Sequence, residues 1–479
     1  MALRAAPERE AWRHRDAVWS WADVRRAVDG VVTGLVAQGV GRGDRVALVG
    51  RNTPAWVVGE LAVLTLGAIA VPLAYTGTRS EWAAILRRSD ARLLLADPEL
   101  DTSGLPCPVH GLGAWHELAP VAIDVTSSPQ DVAMILFTSG TTGRPKGVLL
   151  THGNLLAAAH ALLERYPDFA APDGYRIVSY LPLAHVSEQL FHITLATGLA
   201  GHVHFCDRVE DVTDALRQAR PTFFLGVPAV WQKLSEASAG CDDPRTTLGL
   251  DRAHTVTSGA APLSRELLDA FSTAGLPILE GYGLTEAAGL LTVPHPNARE
   301  VGSVGVPVSG TELRLGKAGD VQVRGPQVCK GYWDDEALTS ASWTKDGWFR
   351  TGDLGAWSAT GQLRITGRLK DLIVTSMGKN VAPAPLEARL LAVSGVTHAM
   401  VVGEGRPHLV AAVSGRPSPE GLQEALAAMA RDLAPELRVR RVAVVAPPGP
   451  EALTPTGKVS RTRWVEALTD EIDALYADS

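Results

Sequence analysis

The 479-residue sequence is poor in cysteine, has no excess of basic charge, and contains no long uninterrupted apolar run. Its four cysteines, Cys107, Cys206, Cys241 and Cys329, are scattered, with no CxxC pair and no histidine cluster beside them. That spacing argues against a disulfide framework or a zinc site and suits free thiols in a reducing compartment. A formal net charge of -7 lacks the basic footprint of a nucleic-acid binder, and no polybasic stretch marks a membrane-surface patch. The longest apolar run, Trp56 to Leu73, is interrupted by Gly59, Glu60, Gly67 and Pro72. It reads as a buried helix leading into a strand at Ala68–Pro72, not as a bilayer span. The first ten residues reach no apolar core and already carry Glu8 and Glu10, so no secretory signal and a cytoplasmic location are expected. Neither an internal repeat nor a coiled-coil heptad is visible.

What is present is ordinary globular material, 46% hydrophobic and 20% charged, in a chain longer than one core normally holds. At least two domains are expected. From about residue 20 to 280, short Val/Ile/Leu runs alternate with Ala- and Leu-rich stretches; Arg45–Val49, Ala91–Leu95, Thr222–Leu225 and Pro277–Glu280 stand out as strands. Such alternation predicts an α/β fold of parallel sheets covered by helices. Between Gly302 and Gly367 the glycine turns crowd together, as in Gly319–Gly325 and Gly361–Gly367, which predicts a small antiparallel β unit. An α+β tail of roughly a hundred residues comes after Lys370.

The densest signal lies from Thr138 to Val148, directly after the apolar run Val132–Phe137. Gly140, Gly143 and Gly147 let backbone amides approach an anion. Thr138, Ser139, Thr141 and Thr142 offer hydroxyls, and Lys146 supplies charge. This is phosphate-handling chemistry. It is not a P-loop, because Pro145 precedes the lysine and Gly147 follows it where Ser or Thr would hold magnesium.

The loop resembles the signature of the AMP-forming, adenylate-forming superfamily of acyl-CoA synthetases, luciferases and peptide-synthetase adenylation domains. Further segments occur in that family's order: Tyr180–His185, Gly281–Glu286, Thr351–Asp353, Gly367–Asp371 and Pro455–Lys458. The resemblance implies a large N-terminal domain over residues 1–369, comprising helix-covered sheets and the small β unit. A small mobile α+β domain over 370–479 would turn about a hinge at Lys370.

It also implies roles. The reaction joins a carboxylate to the α-phosphorus of ATP and expels pyrophosphate, so an anion must meet a polyanion and cations must crowd the site. Glu286 matches the acid that holds Mg²⁺, and Thr285 the hydroxyl on the α-phosphate. Tyr282, between Gly281 and Gly283, matches the ring laid over adenine, with Glu280 beside it. Gly259, Ala260, Ala261 and Pro262 match the stretch between adenine and the acyl group. Asp353 matches the ribose-binding acid, although a Thr-Gly-Asp turn alone would be read as an Asx turn. Arg368 matches a second ribose or phosphate contact. Lys458 matches the catalytic lysine that bridges the carboxylate and the α-phosphate.

Leu181–Glu188, Gly226–Trp231 and Val374–Val381 look most like the long-chain fatty acyl-CoA synthetase branch. His185, Val186 and Gly259 then border the acyl pocket, while Trp231 is either a gate or a core aromatic. Met377 and Gly378 border the thiol tunnel, and Met377 stands where the branch carries glycine. The stretch from Trp231 to Gly259 is short for that branch. The implied substrates are an apolar long-chain or bulky, natural-product-like acid, ATP with Mg²⁺, and coenzyme A. An acyl carrier protein remains open as the thiol partner. A luciferase-like oxygenase and a catalytically dead homologue are the other readings. Oligomeric state is not legible.

Overall fold

The computed structural model describes residues 7–123, 127–138, 145–171, 174–452 and 459–477. The chain forms two compact units. The first takes in Leu267–Leu313, Val323–Phe349 and everything up to Leu263; the second takes in Ser264–Glu266, Arg314–Gln322 and everything from Arg350.

The first unit is built on a seven-stranded sheet. Its order is Gly331–Tyr332, Lys146–Thr151, Val132–Thr138, Ile69–Leu73, Arg45–Val49, Leu93–Ala96 and Val109–Gly111. The last five strands run parallel, as the alternating pattern predicts. The other edge is antiparallel, which the pattern did not anticipate: Val132–Thr138 pairs with Lys146–Thr151, and that strand pairs with Gly331–Tyr332. The reason is chain length. Only residues 139–145 separate the first pair, too few for the crossover that parallel strands need.

Helix starts are well specified. Ser20 caps Trp21–Ala37 and Thr151 caps His152–Arg165, each through a capping box. Thr53 and Pro54 start Pro54–Thr65. This last helix is apolar around its whole circumference apart from Glu60, and it lies buried as expected. Three smaller sheets belong to the unit, one of them the antiparallel pair Thr292–Val293 and Val306–Pro307. Phe223–Gly226, Thr255–Ser258 and Leu279–Glu280 are parallel. Glu10–His14, His202–Phe205 and Arg176–Ser179 are also parallel, with Ala17–Ser20 antiparallel at the edge.

The second unit holds most of a four-stranded sheet made from Glu312–Leu315, Asp320–Arg324, Phe349–Trp357 and Leu363–Arg368. This is the β unit predicted from the crowded glycines. The unit also holds a three-stranded sheet, Val396–Val402, Leu409–Gly415 and Val439–Val445, with helices that include Ala384–Leu391 and Pro419–Asp432. By packing, the compact units divide at 349/350. Strands Phe349–Trp357 and Leu363–Arg368 pair with each other and belong with the chain beyond Lys370; a Cβ built at Gly367 would lie 3.3 Å from Ala382. No helix of the described residues is long and apolar enough to cross a membrane.

Candidate active site

In the first unit the strands on either side of the phosphate-type loop, Val132–Thr138 and Lys146–Thr151, pair antiparallel. Residues 139–144, and with them the expected contributors Ser139, Gly140, Thr141, Thr142 and Gly143, lie outside the described residues. Their flanks are fixed: Thr138 pairs with Lys146 across the two strands. A strand comes after the loop where a P-loop would have a helix, which excludes that alternative on topology as well as on sequence. The Thr138 hydroxyl is buried and finds no partner among the described residues.

Lys146 begins its strand and points its ammonium at Glu286, with Nζ 2.6 Å from Oε1. The Tyr332 hydroxyl donates to the same Oε1 at 2.9 Å, and Lys146 Nζ lies 3.3 Å from that hydroxyl and 4.8 Å from the ring centroid. Three segments distant in sequence therefore meet at one carboxylate, which is only 7% exposed. Backbone bonds fix the meeting: Cys329 N donates to Glu286 O at 2.7 Å, Lys330 N to Leu149 O at 3.0 Å, and Trp333 N to Gly147 O at 2.7 Å. Burial, then the neighbouring Glu286 carboxylate, raises the Tyr332 phenol above its ordinary range and pushes the Cys329 thiol up to about 12. The phenol is thus a durable donor.

Glu286 is carried by a tightly folded loop. Tyr282 bridges to Thr292, and Gly281 N donates to Ser258 O at 2.9 Å. A Cβ on Gly283 would stand 2.1 Å from Gly289 O, so only glycine fits there. Tyr282 and Thr285 are partly exposed beside Glu286. The segment Gly259–Pro262 leaves the end of strand Thr255–Ser258 next to this loop, with Ala260 at a left-handed φ of 72°. Glu280 does not face outward as a free ligand. Its Oε1 accepts the Leu263 N–H at 3.0 Å, and burial raises its pKa.

His185 sits in a turn beyond strand Arg176–Ser179, its Nδ1 2.7 Å from Ser187 Oγ. Val186 packs 3.4 Å from a Cβ position at Gly289, which joins this turn to the Glu286 loop. Trp231 is fully buried; its Nε1 donates to Thr257 O at 3.1 Å and its ring packs against Phe224 and Phe271. In this conformation the indole is part of the core beside strand Thr255–Ser258.

The second unit carries the other candidates. Asp353 and Arg368 face each other across paired strands, with Nε 2.9 Å from Oδ1 and Asp353 only 3% exposed. The Asp353 backbone N–H donates to Thr351 Oγ1 at 3.1 Å, so a local side-chain turn and the strand pair coexist. Lys370 is exposed in the short turn Leu369–Asp371. Met377 and Gly378 form the tip of the hairpin Ile373–Val374/Asn380–Val381; Gly378 has φ 71° and Met377 is 77% exposed. Lys458 lies outside the described residues.

Tyr332, which joins Lys146 and Glu286, was not singled out from the sequence. The only available signal was Lys330-Gly-Tyr-Trp333, an aromatic pair behind a glycine.

Comparison with known proteins agrees with this arrangement. The family described as "AMP-binding enzyme" matches residues 2–333, and "AMP-binding enzyme C-terminal domain" matches 370–479. A long-chain-fatty-acid–CoA ligase of Mycobacterium bovis is 31% identical, over 96% of this chain and 93% of its own. A feruloyl-CoA synthase of an Amycolatopsis species is 34% identical over 84% of each chain. Among solved structures, o-succinylbenzoate coenzyme A synthetase from Bacillus subtilis with ATP and magnesium superposes with a TM-score of 0.85 at 25% identity, over 96% of this chain and 98% of that one. With the motifs, the fold and these matches in agreement, the chain belongs to the AMP-binding enzyme family.

Proposed function

We propose that the protein is an AMP-forming acyl-CoA synthetase that activates an apolar carboxylic acid. One carboxylate oxygen attacks the α-phosphorus of ATP as the bond to pyrophosphate breaks. The CoA thiol then displaces AMP from the acyl-adenylate, giving acyl-CoA. The observation that carries this reading is the buried Glu286 carboxylate held at Oε1 by both Lys146 and Tyr332.

That geometry suits a magnesium ion accompanying ATP. Oε2 of Glu286 has no partner among the described residues, and those residues contain no cluster of three or more acidic, His or Cys side chains that would form an all-protein cage. One carboxylate plus substrate phosphates is the usual magnesium arrangement, and the ion supplies charge neutralisation between phosphate oxygens. Lys146 can release Glu286 to meet the phosphates, with Tyr332 retaining Oε1. Thr138, Ser139, Gly140, Thr141, Thr142 and Gly143 would cradle the phosphates, and Thr285 the α-phosphate. Tyr282 would cover adenine beside Gly259–Pro262, and Asp353 with Arg368 would take the ribose. His185 and Val186 would border the acyl group.

Lys458 would bridge the attacking carboxylate and the α-phosphate, and rotation about Lys370 would exchange it for the thiol path. Lys458→Ala should lower adenylation by about 10²- to 10³-fold. Thioester formation from preformed acyl-adenylate should survive. Equal loss in both half-reactions, measured separately, would refute this division of labour.

The relatives named for long-chain fatty and feruloyl substrates support a long or ring-bearing acid. A second reading, transfer to the phosphopantetheine of an acyl carrier protein, draws on the exposed Met377 at the hairpin tip, where a side chain would narrow a free thiol's approach. A cytoplasmic site of action is in keeping with four free cysteines.

A further inference from the structure

Glu60 and Glu188 are fully buried carboxyl groups that the reaction scheme leaves unused, and Glu60 is the one without a basic neighbour among the described residues. It lies in the middle of helix Pro54–Thr65 with no solvent exposure. Its Oε2 accepts from Gln189 Nε2 at 3.3 Å, and the same amide nitrogen donates its second hydrogen to Leu183 O at 2.8 Å. The Gln189 backbone N–H reaches His185 O at 3.3 Å. Gln189 therefore grips the His185 turn at two carbonyls, and Glu60 steadies Gln189.

The π-helix Glu188–Leu195 lets consecutive side chains serve one loop. Glu188 Oε1 accepts from Leu181 N at 3.0 Å and Oε2 from Ser179 Oγ at 2.8 Å, while Asn52 Nδ2 donates to Leu181 O at 2.7 Å. Glu188 Oε2 lies 2.9 Å from His192 Nδ1, whereas Glu60 has no basic side chain within ion-pair distance among the described residues. On the elements packed against its helix, the charged groups are engaged elsewhere. Arg25 pairs with Asp29, Arg26 with Asp23 and Arg45 with Asp90. A carboxyl so enclosed holds its proton.

We propose that Glu60, acting through Gln189, is a positioning residue for the His185 turn and holds that turn in place only as a neutral carboxylic acid. Burial pushes its pKa up to about 8, with the Gln189 bond opposing. Above that pH an ionised, unpaired carboxylate must draw in water, which loosens the turn and, through Val186 on Gly289, the acyl side of the site.

The inference rests on the acid-activation reading, and ATP–pyrophosphate exchange without CoA tests the two separately. With acid concentration varied from about pH 6.5 to about pH 9.5, the wild-type KM for acid should rise about tenfold across pH 8 while exchange at saturating acid changes little. Glu60→Gln, isosteric and permanently neutral, should remove that step. Gln189→Met should show a raised KM at every pH and no step. A step that persists in Glu60→Gln, or its absence from the wild type, would overturn the inference. No exchange with any acid at any pH would overturn the acid-activation reading itself.

Discussion

At the scale of single residues, the chemistry depends on how one carboxylate oxygen is shared. Glu286 Oε1 accepts from both Lys146 and Tyr332, so removing the phenol should leave the ion pair but deprive the acid of its fixed partner when Lys146 turns to phosphate. A hydrogen bond to a charged group is worth about 1.5–3 kcal/mol, so Tyr332→Phe should lower kcat/KM for MgATP by about 10- to 100-fold. Thermal unfolding should change little because the buried ring is retained. A parallel loss with several acids, at unchanged melting temperature, is the expected pattern. Lys146 was legible in the sequence from its run of Gly, Ser and Thr, and Glu286 from the family resemblance carried by Gly281–Glu286. Tyr332 was not, since nothing in Lys330–Trp333 records that an antiparallel strand returns to Val148. Trp231 shows the converse: its motif suggested a pocket, while its burial against Phe224 and Phe271 could be seen only in the fold.

At the scale of elements, the Glu286 loop is a close-packed backbone fold in which Gly283 lies against Gly289. Gly283→Ala places a methyl 2.1 Å from a carbonyl oxygen, a clash that only backbone movement relieves. The loop should shift by enough to lower adenylation at least about tenfold, since small misplacements of reacting groups carry that penalty. Pyrophosphate exchange on the folded variant checks it; near-normal exchange would mean the loop yields without moving Glu286. Strands read well from sequence where short apolar runs stood alone, as at Arg45–Val49 and Thr222–Leu225. The antiparallel edge of the large sheet read poorly, because alternation implies parallel pairing and only the shortness of residues 139–145 argues otherwise.

At the scale of the whole molecule, stability should respond to acid through two histidines in the first unit. Burial, then Arg176 for His202 and Arg13 for His204, lowers their pKa values to about 3 and about 4. Both stay neutral in the fold, while unfolding lets them bind protons below 6.5. Stability from this source is therefore complete above about pH 6.5 and declines as pH falls toward 4, by several kcal/mol in total. Glu60 acts with the opposite slope, its raised pKa costing stability as pH rises from 4.5 to about 8. Denaturant midpoints at pH 7 and pH 4.5 should differ less in His202→Gln than in the wild type, and an undiminished difference would show that His202 is not a source of the acid response. The α/β class and the β unit near residue 320 were legible from spacing alone. That residues 350–369 pack with the chain beyond them was not, because the strand pairing of Asp353 with Arg368 leaves no trace in composition.

Whether this chain activates acids is decided by AMP formation from ATP over a panel of fatty, aryl and polycyclic acids, each with and without CoA. The expected result is AMP that rises with one class of acid, requires CoA, and falls to background in Glu286→Gln. Absence of acid-dependent AMP and pyrophosphate across the whole panel, from folded wild-type protein, would contradict it.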